Sequence, residues 1–311
     1  MNILFIHIRP EHYDSDTVRN NPSGGTEKAF VFLGEALAKL GHDVSYITTK
    51  EQLTQPTVAP DVVITQEPEL FQAFPKSKKI YWSHHFSNQP IVQRGAVWVR
   101  ALADKVVTLS KCHHDDWLQN LRLGSVIIGH GVWLDEVATG VKDPYRLIYA
   151  STPFRGLERI PELFRAIKAK EPRATIAICS SMATYGTPEQ DGQYKALFNE
   201  LASIDGVELL GSLNQYELYQ QYARASIFFY PCTWPETYCI ALDEAIAHGC
   251  LPVVTQVGAL AERAGLPANP ASQAAMAECA LAAMDSVGVD LFKGQAPRDW
   301  MAVARDWERL F

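Results

Sequence analysis

The sequence predicts an α/β protein made of two doubly wound, parallel-sheet domains, and three observations carry that expectation. Short apolar runs alternate along the chain with amphipathic helical segments, the pattern of strands covered on both faces by crossover helices. The 311 residues, 47% hydrophobic and 20% charged, are enough for two cores of ordinary size. The polar, proline-bearing stretch Val141 to Tyr145 precedes a fresh strand near mid-chain, so the expected first domain is 1–144 and the second 145–295, with 296–311 as a terminal helix.

In the first half, strands are expected at Asn2 to Ile8, Val44 to Thr48, Asp61 to Thr65, Lys79 to Ser83, Lys105 to Leu109 and Ser125 to Ile128. Phe30, Leu33, Leu37 and Leu40 share one face of a helix from Thr26 to Leu40 that Gly41 closes. Ser110 is placed to cap a helix whose polar first turn is His113, His114, Asp115 and Asp116. In the second half, strands are expected at Arg146 to Ala150, Ala174 to Cys179, Val207 to Leu210, Ile227 to Tyr230 and Leu251 to Thr255. Trp300, Val303, Trp307 and Leu310 then recur at three- and four-residue steps, an apolar face that must be buried; periodicity does not name the surface that covers it.

Composition excludes several classes. The formal charge of -7, with no basic block or stripe, argues against a nucleic-acid partner. No segment approaches the ~20 apolar residues of a membrane span. The opening MNILFIHI lacks the basic region and cleavage site of a signal peptide, so a cytoplasmic location is expected. The six cysteines form no C-x-x-C pair, which favours reduced thiols. Contiguous ligands such as His113 to Asp116 do not converge on one ion, and Asp14 and Asp16 lie in a polar loop, so no metal site is expected.

The most informative stretch is PCTWPETYCIALDEAIAHGCLPVV, residues 231 to 254. It reads as strand, loop, helix (Tyr238 to His248), then strand, with Glu236 in the loop at the carboxyl end of a strand and Glu244 eight residues on. Two helical turns separate the acids by about 12 Å, too far for a close retaining-glycosidase pair. The spacing suits one elongated ligand, its anionic middle on the helix N-terminus at Thr237, Tyr238, Cys239 and Ile240 and its hydroxyl-bearing parts against a carboxylate on either side. Gly24 and Gly25 lead into a helix and let backbone N–H groups approach a phosphate or a sugar, although a plain tight turn explains them as well. Arg155, after a strand and before Gly156, offers a guanidinium fork to a diphosphate; an exposed first-turn arginine is the alternative.

Glu236 and Glu244, with Gly249, Pro252, Val253 and Gly258 downstream, resemble the E-x7-E signature of retaining glycosyltransferases of the family-4 (glycosyl transferases group 1) type. The resemblance implies the GT-B fold, two Rossmann-like doubly wound domains facing across a cleft, with a last helix that crosses back to the first domain. It implies a nucleotide-diphospho-sugar as co-substrate, UDP- or GDP-linked, a hydroxyl acceptor, no metal and no other cofactor. Glu236 then faces the transferred sugar, Glu244 the ribose, Arg155 the diphosphate, and Gly24 and Gly25 the donor from the first domain. Of His84 and His85, which follow the strand KKIYWS, His84 is favoured over His85 as the histidine that touches the sugar, and the backbone of Gly211, Ser212 and Leu213 faces the base. Two departures stand out: Cys239 replaces the usual glycine, and the first of two basic residues, expected near Ala150, is missing, with Ser151 and Thr152 beside it. A GT-B epimerase or hydrolase, or a non-catalytic sugar-nucleotide binding protein, would share the same cleft. Peripheral membrane contact is compatible with all three.

Overall fold

The computed structural model describes residues 1–54, 58–262, 273–286 and 296–311; the expected boundary at 295/296 borders a stretch outside the described residues. The chain forms two compact units. One comprises Met1–Asp16, Thr26–Gly131 and Arg298–Phe311, the other Thr17–Gly25 and Val132–Pro297.

The first unit holds β1 (Asn2–Ile6), β2 (Asp43–Ile47), β3 (Val62–Thr65), β4 (Lys78–Trp82), β5 (Lys105–Thr108) and β6 (Val126–Ile127). All pair in parallel in the order β2-β1-β3-β4-β5-β6. After α1 (Ser15–Asn20), the helices are α2 (Gly25–Lys39), α3 (Pro90–Leu102) and α4 (Lys111–Leu121). The central strands β1 and β3 are runs of apolar residues because both their faces are buried, and Leu4, Ile6, Val63, Tyr81 and Trp117 join one core. The apolar stripe of α2, Phe30, Leu33 and Leu37, is fully buried, as its periodicity predicts. Gly34 is there because a Cβ would lie 1.8 Å from the Tyr46 hydroxyl.

The second unit holds β7 (Asp143–Ala150), β8 (Thr175–Cys179), β9 (Val207–Leu209), β10 (Ala225–Tyr230) and β11 (Leu251–Val254), in the order β11-β10-β7-β8-β9. Its helices are α5 (Ile160–Lys170), α6 (Lys195–Ala202), α7 (Gln215–Arg224), α8 (Ile240–Ala247) and α9 (Gln273–Met284). α7 opens with a reciprocal cap, Asn214 accepting from the Glu217 N–H and Glu217 accepting from the Asn214 N–H. The chain enters the sheet at β7, places β8 on one side and β10 on the other, and so makes a switch point between β7 and β10, the crevice where open parallel sheets take their ligands.

The terminal helix α10 (Trp300–Glu308) belongs to the first unit. Asp299 caps it, accepting from the Met301 N–H at 2.7 Å. Trp300, Val303 and Trp307 are fully buried; Trp307 meets Trp82 edge-on at 4.8 Å and Trp300 meets Phe32 at 6.3 Å. Gly131 makes room for this packing, since a Cβ there would stand 2.9 Å from the Trp300 Cα. Trp307→Ala is expected to lower unfolding stability by about 3 to 5 kcal/mol through the lost ring and the cavity it leaves. Chemical denaturation followed by Trp fluorescence checks this, and an unchanged midpoint would contradict it.

Candidate active site

The site is built on the β7/β10 crevice. The loop after β10 carries Glu236, only 5% exposed, whose backbone is pinned by a parallel bridge to Gly258 and by the Ala259 N–H donating to its carbonyl at 2.7 Å. Gly258 has φ +58, and a Cβ there would lie 2.3 Å from the Glu236 carbonyl oxygen, so only glycine fits. The loop after β7 carries Arg155. Gly156 follows it at φ +100, where a Cβ would come within 2.2 Å of the Pro231 oxygen. The two loops are therefore in backbone contact.

That closeness brings the charged side chains together. Arg155 Nη1 donates to Glu236 Oε1 at 2.7 Å, and the Tyr230 hydroxyl donates to the same oxygen at 2.6 Å. The second arm of the fork, Nη2, donates to the Tyr185 hydroxyl at 3.0 Å, and the Arg155 guanidinium lies 5.5 Å from the Phe154 ring centre. Burial works to lower the Arg155 pKa, but the charge of Glu236 and the neighbouring Tyr185 and Tyr230 hold it well above its usual value, so the cation is permanent. Burial, reinforced by the Glu236 carboxylate, pushes Tyr230 well above the ordinary phenol range and keeps it a donor. Where a first basic residue was expected, Ala150 ends β7, and the Ser151 hydroxyl lies 3.2 Å from that of Tyr230.

Helix α8 begins at Ile240, not at Tyr238 as its sequence suggests, because Cys239 adopts a left-handed conformation at φ 78 and ends helical geometry there. Thr237 and Tyr238 thus belong to the approach loop. Burial and the Glu236 charge push the Cys239 thiol well up, so it stays protonated even at a helix N-terminus. Glu244, in the middle of α8, is 2% exposed and accepts from Gln215 Nε2 at 2.8 Å. Gln215, the first residue of α7, was not singled out by sequence; a lone Gln after a cap carries no signal of a distant carboxylate. Tyr185, thirty residues from Arg155, carries no such signal either, and Tyr230 reads from sequence only as part of a buried strand.

Within the same unit, a Cβ on Gly25 would stand 3.2 Å from Ile240 Cγ2, which puts the glycine loop against the first turn of α8. Gly211, at φ +66, follows β9, and Ser212 joins its hydroxyl to that of Thr184 at 3.1 Å; Leu213 packs on the edge of the second core. His84 belongs to the first unit, after β4. It is 9% exposed, 4.7 Å from Trp82 and stacked at 5.2 Å on His130. Burial first, then neighbouring histidines, lowers its pKa well below the usual value, so the ring is neutral. Among the described residues no group of three or more His, Cys, Asp or Glu is arranged to hold a metal ion.

Residues 139–265, which contain Arg155, Glu236 and Glu244, match the family model of the glycosyl transferases group 1. HepE of Anabaena, solved with UDP and glucose, is similar along 99% of this chain and 98% of its own, at TM-score 0.72 and 14% identity. Sucrose-phosphate synthase from Thermosynechococcus elongatus covers the same shares at TM-score 0.71 and 16% identity. The catalytic domain of starch synthase IV from Arabidopsis thaliana, bound to ADP and acarbose, reaches TM-score 0.68 at 11% identity over 99% of this chain and 98% of that one. No curated protein sequence matches. The likeness to these structures gives the chain the GT-B fold, and the family match lies within its second unit.

Two predictions follow from the local chemistry. Replacing Cys239 by glycine removes a left-handed non-glycine residue and is expected to stabilise the protein by about 1 kcal/mol in thermal or chemical unfolding; destabilisation would show that the thiol packing outweighs the backbone strain. The first unit is expected to lose stability on acidification. Burial holds His113 down at about 4 and His130 at about 3, while their unfolded counterparts take up protons near the ordinary histidine value of 6.5. The unfolded chain therefore binds more protons as pH falls from 6.5 towards 4, and stability falls with it, by on the order of 3 kcal/mol for His113 alone. Urea melts between pH 7 and 4.5 read this directly, and a flat profile would contradict it.

Proposed function

We propose that this chain is a retaining glycosyltransferase that moves a hexose-like sugar from a nucleotide-diphospho-sugar, UDP- or GDP-linked, to a hydroxyl acceptor in glycan, glycolipid or glycoside biosynthesis. The observation that carries this reading is the Arg155–Glu236 pair held across the β7/β10 crevice beside the start of α8. A diphosphate placed there meets a permanent guanidinium and the N–H groups of a helix N-terminus, which offset the charge that grows on the leaving group. Glu236 faces the departing sugar, whose charge distribution changes most during transfer. Glu244, oriented by Gln215, holds the ribose hydroxyls, and the backbone of Gly211 to Leu213 meets the base. HepE with UDP and starch synthase IV with ADP support a nucleotide ligand for the fold. Among the described residues no helix is long and apolar enough to cross a membrane.

The test is incubation with UDP- and GDP-sugars and a panel of hydroxyl acceptors in excess chelator, followed by product analysis. Transfer with retained anomeric configuration and no added metal is the expected result. Turnover of donor alone, without acceptor, would indicate an epimerase or hydrolase, and binding without any turnover a sugar-nucleotide binding protein.

The two acids should separate kinetically. Glu244→Gln is expected to raise donor KM roughly tenfold with kcat little changed, since a ribose contact is made alike in ground and transition states. Glu236→Gln is expected to lower kcat by about 10² or more. It should not weaken nucleoside diphosphate binding, because it removes the anion that Arg155 otherwise faces. Two variants with wild-type turnover would remove the basis for assigning these roles.

A further inference from the structure

Tyr185 stands outside every motif that the sequence singles out, yet its position is unusually well fixed. It ends a 3₁₀ turn, Met182–Tyr185, that follows β8 at the carboxyl edge of the second sheet. Ser181 caps the turn by accepting from the Ala183 N–H at 2.9 Å, and Asp191 accepts from the Met182 N–H at 2.7 Å and from the Ser181 hydroxyl. Gly186, left-handed at φ +70, closes it. Despite this anchoring the Tyr185 side chain is left 43% exposed, an aromatic ring held in place at the rim of the site. Its hydroxyl takes a hydrogen bond from Arg155 Nη2 at 3.0 Å, and its ring lies nearly parallel to Phe154, 6.4 Å between centres. Its neighbour Thr184 is tied to Ser212 at 3.1 Å. Tyr185 thus stands between the arginine assigned to the diphosphate and the segment assigned to the base.

We propose that Tyr185 is both a positioning residue and a base-stacking residue of the donor site, its hydroxyl orienting the Arg155 fork and its ring receiving the flat face of the donor's nucleobase. This rests on the donor-site reading above. The hydroxyl role follows from geometry: with Nη1 on Glu236 and Nη2 on Tyr185, both arms of the guanidinium are fixed in one plane before a phosphate arrives. The ring role follows from chemistry, since a base linked through ribose to a phosphate on Arg155 must pass the nearest rigid aromatic surface, and stacking on such a surface is favourable and tolerant of base identity.

The two roles separate in binding titrations of UDP, GDP, ADP and inorganic pyrophosphate to the whole protein. Tyr185→Phe keeps the ring and loses the hydroxyl; it should weaken pyrophosphate and nucleoside diphosphate alike, by about 3- to 10-fold, leaving their affinity ratio unchanged. Tyr185→Leu loses both and should weaken the nucleoside diphosphate by a further 5- to 100-fold relative to pyrophosphate. Thermal melts establish that both variants are folded, and the retained ratio in Tyr185→Phe is a readout that mere structural damage would not give. Wild-type pyrophosphate affinity in Tyr185→Phe overturns the positioning role, and an unchanged ratio in Tyr185→Leu overturns the stacking role. Wild-type protein that binds none of the four ligands overturns the donor-site reading itself, and this inference with it.

Discussion

The contact between Arg155 and Glu236 is the interaction on which the site depends, and backbone sterics make it possible. Gly156 lets the loop after β7 touch the Pro231 carbonyl, and Gly258 lets the next segment lie against Glu236. A methyl group at either position would drive the loops apart and part the 2.7 Å ion pair that spans the switch point. Sheet topology chooses the place, since β7 and β10 diverge there; the glycines set the distance.

A buried ion pair with one partner removed is costly, and such a pair is weak evidence for stability by itself. What the geometry supplies here is orientation and access. Glu236 Oε1 receives donors from Arg155 and Tyr230 at once, so the carboxylate is oriented without needing a ligand, while Arg155 remains about a quarter exposed and reachable by an anion. The adjacent α8 adds its N-terminal N–H groups, and Cys239, forced into a glycine-like conformation, aims the chain into that helix without contributing a thiolate.

The fold was legible because its signals are local and redundant. Each of the eleven expected strands is a short, largely apolar run, and each appears within a few residues of its expected place; for the central strands, burial on both faces leaves little choice of residue. The stripe of α2 and the Ser110 cap of α4, which accepts from the His113 N–H, were equally plain. Helix α8 was misjudged by two residues because a left-handed Cys239 has no compositional mark. Of the candidate site residues, Glu236, Glu244 and Arg155 are singled out by their spacing around a strand and helix. Gln215 and Tyr185 are not, because they reach their partners across about thirty residues of sequence, and Tyr230, six residues before Glu236, reads only as part of a buried strand; each acts through a single hydrogen bond that no periodicity encodes.

The central claim is that the Arg155 end of the crevice is a diphosphate clamp. Calorimetric titration of wild type and Arg155→Ala with UDP and with uridine, or with GDP and guanosine, tests it most directly. The account predicts that the variant loses on the order of 1.5 to 3 kcal/mol in nucleoside diphosphate binding, the worth of a charge-assisted hydrogen bond, while nucleoside binding is nearly unchanged. Equal losses for both ligands, or none for either, would contradict it.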